Sequence, residues 1–335
     1  MTPTDVIIPS EVFNFTGQST IDTWNLKSRF MAQGWSGYDK WSVEEIILCM
    51  QRIKDIADSF PFWQRIKSTG RKPIRERDLL IAYLLRQFFN ATFRKVTGIM
   101  RLLSDYFEFN MIPHHSVLSK YNRSKRWNRI WRRFHSFVMK LLPGRKCTAI
   151  TDASGYSGRK QHWRDVPYDV RCNQNWVKTH ITTEKETLII SSYSLTKSYV
   201  HDSKVFRNNW ERLPKNVIPT HSLADGSYAT KEICEYVRKW DAIPHHGIRK
   251  DAICKKHPKT AYEKMVYYAR HFPKKFKKIY SMRNLVETVF SMIDSSFGYR
   301  IRCRSDIGRK NEVHAKIQSH NLRMICLQNF MKSLV

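Results

Sequence analysis

The feature that most constrains this chain is a change of texture near Lys146. Before it, apolar residues recur at the three-and-four spacing of helices. After it, short runs rich in β-branched residues alternate with helical stretches. Residues 1–40 are polar and irregular and read as an arm. From Ser42 to about Phe60, Val43, Ile46, Ile47, Met50, Ile53 and Ile56 mark the apolar face of a first helix. Pro73 stands where a first-turn proline would open a helix running through about Phe89. A further helix is expected from about Thr92 to Phe107.

The segment Glu108-Phe-Asn-Met-Ile-Pro-His-His-Ser116 then turns into a new helix, with Ser116 as its expected cap and Lys120 and Arg123 on or near it. Residues 95–126 therefore read as a helix-turn-helix whose second helix would meet a DNA groove. The competing reading is a helical hairpin packed into the core with a solvated basic face. A helix from Lys125 to about Pro143 follows. Its Trp127, Ile130, Trp131 and Phe134 suit a core, while its arginines suit phosphate or solvent equally.

Beyond Lys146, strands are expected at Thr148–Asp152, Val177–Thr183 and Leu188–Ser194, with Glu184-Lys-Glu186 turning the second into the third. A helix from Asp202 to about Arg212, a strand ending at Asp225, a helix from Tyr228 to Trp240, a short strand at Gly247-Ile-Arg249 and a last helix from Lys310 to Phe330 complete the order. Such alternation predicts an α/β fold over residues 146–335, a mixed sheet flanked by helices, behind an all-helical region at 41–145.

Charge narrows the partner. The 335 residues carry a formal net charge of +30. The basic residues are spread through folded segments, which favours nucleic acid over a membrane surface. Lysines 255, 256, 259, 264, 274, 275, 277 and 278 make residues 250–280 a basic insertion, and Lys274 and Lys275 are its best candidates for DNA contact. The seven cysteines are scattered without a Cys-x-x-Cys pair, as expected in a reducing compartment. The start of the chain lacks signal-peptide character, and the longest apolar run, Leu79–Leu85, is too short to span a bilayer. A soluble, cytoplasmic, nucleoid-associated protein is expected.

Three carboxylates stand out in this basic chain. Asp152 and Asp225 end apolar runs, and Glu287 lies in a helical stretch. Tyr280, Arg283 and Glu287 are spaced i, i+3, i+7, which at about 100° per residue places them on one helical stripe. That stripe offers an aromatic hydroxyl, a guanidinium and a carboxylate. Arginine and tyrosine suit phosphate, and carboxylate oxygens suit Mg²⁺. Taken singly, each residue has an ordinary reading: the aspartates as caps or turn residues, and Arg283 with Glu287 as an i, i+4 ion pair. His245, His246, Cys254 and His257 are too irregularly spaced for a zinc site. No phosphate-cradling glycine loop and no Gly-x-Ser-x-Gly is present.

Asp152-Ala-Ser-Gly-Tyr156, Trp176-Val-Lys178-Thr-His180, His201-Asp202-Ser203, Leu223-Ala-Asp225-Gly-Ser-Tyr228, Tyr280-x2-Arg283-x3-Glu287 and the segment around His320-Asn321-Leu322 occur in that order. Together they resemble the insertion-sequence DDE transposases with a Tyr-Arg-Glu-Lys signature, over about Thr148 to Phe330. The resemblance implies an RNase H-like catalytic domain that cleaves transposon ends and transfers the strand to target DNA. It implies Asp152, Asp225 and Glu287 as ligands of two Mg²⁺ (or Mn²⁺) ions, Tyr280 and Arg283 as DNA contacts, double-stranded DNA as partner, and a homodimer in the synaptic complex. One position departs: the signature lysine seven residues after the glutamate is Asp294 here. That departure supports one alternative, a decayed or domesticated transposase that only binds DNA; a second alternative is a nuclease of the same fold that cuts without joining.

Overall fold

The computed structural model describes residues 35–62, 74–158, 165–167 and 176–333. Most of the expected arm, residues 1–34, and Pro73 lie outside them. The helical first part comprises α1 (Trp35–Ser59), α2 (Glu76–Phe88), α3 (Phe93–Leu102), the single turn α4 (Ser104–Phe107), α5 (His115–Asn122) and α6 (Lys125–Lys140). Then come β1 (Arg145–Tyr156), β2 (Val177–Glu184), β3 (Ile190–Lys197), α7 (Asp202–Glu211), β4 (Val217–Ala224), α8 (Lys231–Arg238) and β5 (Ile243–His246). Four helices close the chain: α9 (Ala261–His271), α10 (Pro273–Tyr280), α11 (Leu285–Phe297) and α12 (Asp306–Ser333).

The five strands form one sheet in the order β3-β2-β1-β4-β5. The first three pair antiparallel, and β4 and β5 join parallel to β1 and β4. This is an RNase H-like α/β fold, as the element order predicts. Alternation along β1 builds both faces. Ile150 points to α11 and α12 with Val286, Val289 and Leu322, while Ala149 points to Phe206, Trp210 and Val237 on α7 and α8. The first face is continuous with the helical part: Ile53, Leu80 and Trp131 share its core. Helix α12 runs through the middle of that core. At its centre Asn321 clips onto β3, its Oδ1 accepting from the Ile190 N–H at 2.9 Å and its Nδ2 donating to the Ile190 carbonyl at 3.0 Å.

Several local expectations shift. On α1 the buried residues are Trp41, Cys49, Met50, Ile53, Ile56 and Ala57, whereas Val43, Ile46 and Ile47 face outward. The apolar stripe there is wider than the face that packs. Helix α5 is capped by His114, whose side chain accepts from the Ser116 N–H, so Ser116 sits inside the helix rather than at its cap. The fifth strand is Ile243–His246, not Gly247–Arg249. Its two histidines are buried, and His246 is held by Ser222 Oγ at 2.9 Å. Residues 250–280 fold largely into α9 and α10. Thr260 and Glu263 form a capping box at the start of α9, and Lys255 pairs with Glu263 at 2.6 Å. No helix among the described residues is long and apolar enough to cross a membrane.

Candidate active site

The parallel pairing of β1 with β4 ends at Thr151 opposite Ala224. The next residue on each strand is an aspartate. Strand spacing sets Asp152 and Asp225 side by side, about 4.8 Å apart in backbone. They share the parity of Ile150 and Leu223, so both are directed to the face that α11 covers. Asp152 is not a strand terminus: β1 continues to Tyr156 beside β2. It marks instead the point where β4 leaves. Asp225 makes that departure, because its Oδ1 accepts from the Ser227 N–H at 2.8 Å and from Ser227 Oγ, capping a 3₁₀ turn at Gly226–Tyr228. Asp152 Oδ1 accepts from the Ala153 N–H at 2.8 Å. Each aspartate thus has one oxygen fixed by its own backbone.

Tyr280, Arg283 and Glu287 do not share one continuous helix. Helix α10 ends at Tyr280, Arg283 lies in a 3₁₀ turn at Ser281–Asn284, and Glu287 opens α11. The tighter turn breaks the stripe but keeps Arg283 next to Glu287. Arg283 Nη2 is 3.2 Å from Glu287 Oε1, and Nη1 is 3.5 Å from Asp152 Oδ2. The guanidinium therefore spans the helix and the sheet. Tyr280 stacks on Phe276, centroids 5.8 Å apart. Its hydroxyl lies against Gly247, where an added Cβ would come within 2.7 Å of the tyrosine oxygen and 2.8 Å of the Gly226 nitrogen. Glycine at 247 is what allows three segments to close over Asp225.

Burial dominates the electrostatics. It pushes the Asp152 carboxyl up from 3.8 to about 6; the Ala153 N–H and the Arg283 charge pull it down, and the neighbouring Asp225 and Asp202 charges raise it. Tyr280 is raised by burial and by Asp225, against Arg283. Asp202 opens α7 beside this edge. Its Oδ1 lies 2.6 Å from Lys178 Nζ and 3.4 Å from His180 Nδ1, a ring whose pKa burial lowers to about 3. Lys178, His180 and Asp202 all fall within the sequence motifs of the catalytic half, but without a role. Only their meeting across β2 and α7 reveals a polar layer behind the aspartates.

Other predicted contacts lie elsewhere. Lys120 is exposed in the last turn of α5, and Arg123 is its exposed C-terminal cap residue. Lys274 and Lys275 are exposed in the first turn of α10, which leads to Tyr280. Asp294 sits against buried Tyr156, whose hydroxyl is pushed up by burial and by that charge, and near Lys316 of α12.

The donor set suits a hard divalent ion: three carboxylates, with no thiol or imidazole among them. As arranged, Arg283 stands between Asp152 and Glu287, and among the described residues no group of three His, Cys, Asp or Glu closes on one point.

A family model described as a transposase DDE domain matches residues 143–322, more than half of the chain. No curated protein and no solved structure matches it.

Proposed function

Because the chain belongs to the transposase DDE domain family, we propose that it cleaves phosphodiester bonds at the ends of a mobile DNA segment and joins the freed 3′-hydroxyl to target DNA. The observation that carries this reading is that Asp152 and Asp225 directly follow the last β1–β4 pair, Thr151 with Ala224, while Arg283 links Asp152 to Glu287 at the start of α11. The family generally works with divalent metal ions. We assign Asp152, Asp225 and Glu287 as the residues that hold two of them, Mg²⁺ or Mn²⁺. Bound there, such ions supply charge neutralisation to the attacking and leaving oxygens of an in-line displacement.

The chain's own residues do the rest. Asp152 gives up its proton above about pH 6 and then offers Oδ2 as a ligand. Arg283, released from Asp152 and Glu287, turns its fork of donors to a phosphate. Tyr280, held by Phe276, donates its hydroxyl to the same strand or stacks on a sugar. Asp202 and Lys178 steady the β2 side of the edge. Lys274 and Lys275 extend the phosphate contacts along α10, and Lys120 and Arg123 supply those of residues 41–145 as the DNA-binding part. Two ends cut in one complex call for a homodimer.

Asp294 carries less weight for a binding-only protein than its sequence position implies. Its place against Tyr156 and Lys316 gives it a structural role. The test is direct. Asp152→Asn, Asp225→Asn and Glu287→Gln should each abolish Mg²⁺-dependent nicking of a labelled end duplex, by at least about a thousandfold, with duplex affinity retained. The same variants should weaken Mn²⁺ binding measured by calorimetry. Nicking that survives in any of the three would falsify the assignment. Nicking without strand-transfer products would leave a nuclease.

A further inference from the structure

An open groove of about 1060 Å³ lies between α6, the edge strand β3 and the connection from α7 to β4. Its walls are cationic. Lys125, Arg129, Arg132 and Lys140 follow one another at i, i+4, i+7 and i+15, a single stripe of α6 about 22 Å long. Arg212 and Lys215 face them from the other wall. All six are exposed, and no Asp or Glu lines the groove.

The contrast within α6 is informative. Arginines on its other sides are engaged: Arg126 pairs with Glu76, and Arg133 donates to the Pro61 carbonyl at 2.9 Å. Among the described residues, none of these six has an ion pair with a carboxylate, whereas a seventh lining cation, Lys310, is paired with Asp306 at 3.0 Å. Arg212 is held below its ordinary pKa by partial burial and then by the charge of Arg132. The folded protein thus keeps like charges together in a concave surface, at an electrostatic cost that a polyanion would relieve. The floor adds hydrogen-bonding groups. Ser192 and Ser194 of β3 line it, and β3 is an edge strand whose outer side is already met at Ile190 by Asn321 and at Ser191 by His135.

We propose that this groove holds the phosphate backbone of one strand of duplex DNA, outside the acidic centre and without reading base sequence. The stripe matches the axial length of about six nucleotides at 3.4 Å each. β3 lies two strands from β1, so a duplex engaged at Asp152 and Asp225 can reach the groove with its flanking turns. The proposal rests on the DNA-cleaving function above, and it assigns the groove cations of α6 to phosphate, which their sequence left open.

The experiment uses the full chain and a fluorescent duplex of arbitrary sequence, about 30 base pairs, with affinity read by anisotropy across a salt series. Arg129→Ala/Arg132→Ala should lower the slope of log affinity against log salt by about 2, because each phosphate left without its cation takes about 0.9 from the slope. Lys231→Ala/Lys239→Ala, with the same charge change at exposed positions on and just beyond α8, should leave it unchanged. Matching circular dichroism melts keep the comparison one of folded proteins. An unchanged slope in the groove variant, while the unsubstituted protein binds, overturns the groove proposal alone. Failure of the unsubstituted protein to bind duplex overturns the DNA-cleaving function as well. Loss of poly-glutamate binding with duplex binding intact would reassign the groove to acidic polypeptide and overturn the proposal.

Discussion

Asp152 carries two opposed demands. Its carboxyl must ionise to act, yet burial makes ionisation expensive and raises its pKa to about 6. Below the ordinary carboxylate pKa, both the folded and the unfolded chain hold this proton, so ionisation there costs no stability. As pH rises from 3.8 to about 6, the unfolded chain loses the proton first and the native state is progressively destabilised. Above that range the deficit is constant. Asp152→Asn removes the buried charge and should therefore stabilise the protein at pH 7.5, on the order of 2 kcal/mol, while abolishing cleavage. Thermal melts should show the gap between variant and parent closing as pH falls to about 4. No gap at pH 7.5 would mean the carboxylate is better compensated than its burial implies, and a gap that does not close on acidification would mean its source is not the ionisation of Asp152. Arg283 is the natural compensator, through its contacts to Asp152 and Glu287.

At the scale of elements, the acidic edge depends on how closely β5, the Gly226 turn and α10 approach one another. Gly247 is the point of closest approach, and its N–H donates to the Ala224 carbonyl at 3.0 Å, continuing the β4–β5 ladder. Gly247→Ala should cost about 1–3 kcal/mol, because the Gly226 backbone cannot yield as a side chain can. Denaturant unfolding measures that loss. The same substitution should push Tyr280 outward and reduce cleavage beyond what the stability change explains. A variant as stable and active as the parent would mean the turn has room that its 2.8 Å approach denies. The elements around this edge are tied by polar contacts as well as packing, as with the Asn321 clip between α12 and β3.

For the whole molecule, the decisive fact is that one apolar core holds residues of the helical part, the sheet and α12 together. A buried ion pair crosses the same junction: Arg86 of α2 meets Glu312 of α12 at 3.0 Å, both 3% exposed. Glu312 also accepts from the Arg302 and Cys303 N–H groups at 3.1 and 3.0 Å. Glu312→Ala strands a buried guanidinium and should cost about 3–5 kcal/mol, whereas replacing both partners with apolar residues should cost far less. Calorimetry should record a single unfolding transition for parent and variants. Separate melting of the helical part would contradict a shared core. A rigid junction of this kind would also hold Lys120 and Arg123 at a fixed distance from the acidic edge, the condition for a duplex gripped at one place to be cut at another.

The sequence by itself determined the order of elements and the residue types at the edge. Helical and strand periodicities are local, so they survive in one dimension, and Asp152, Asp225 and Glu287 stand out as carboxylates in a basic chain. Local signals failed where packing chooses among equivalent residues: the outward Val43, Ile46 and Ile47, the buried histidines of β5, and the 3₁₀ turn that breaks the Tyr280–Glu287 stripe. Register, by contrast, is a relation between strands distant in sequence, and only the tertiary structure could set Asp152 beside Asp225. It alone placed Asp202 behind them, turned Asp294 inward, and gathered the basic stripe of α6 with Arg212 and Lys215 around one groove. Those are long-range juxtapositions, fixed by the burial of a common core rather than by any neighbour along the chain.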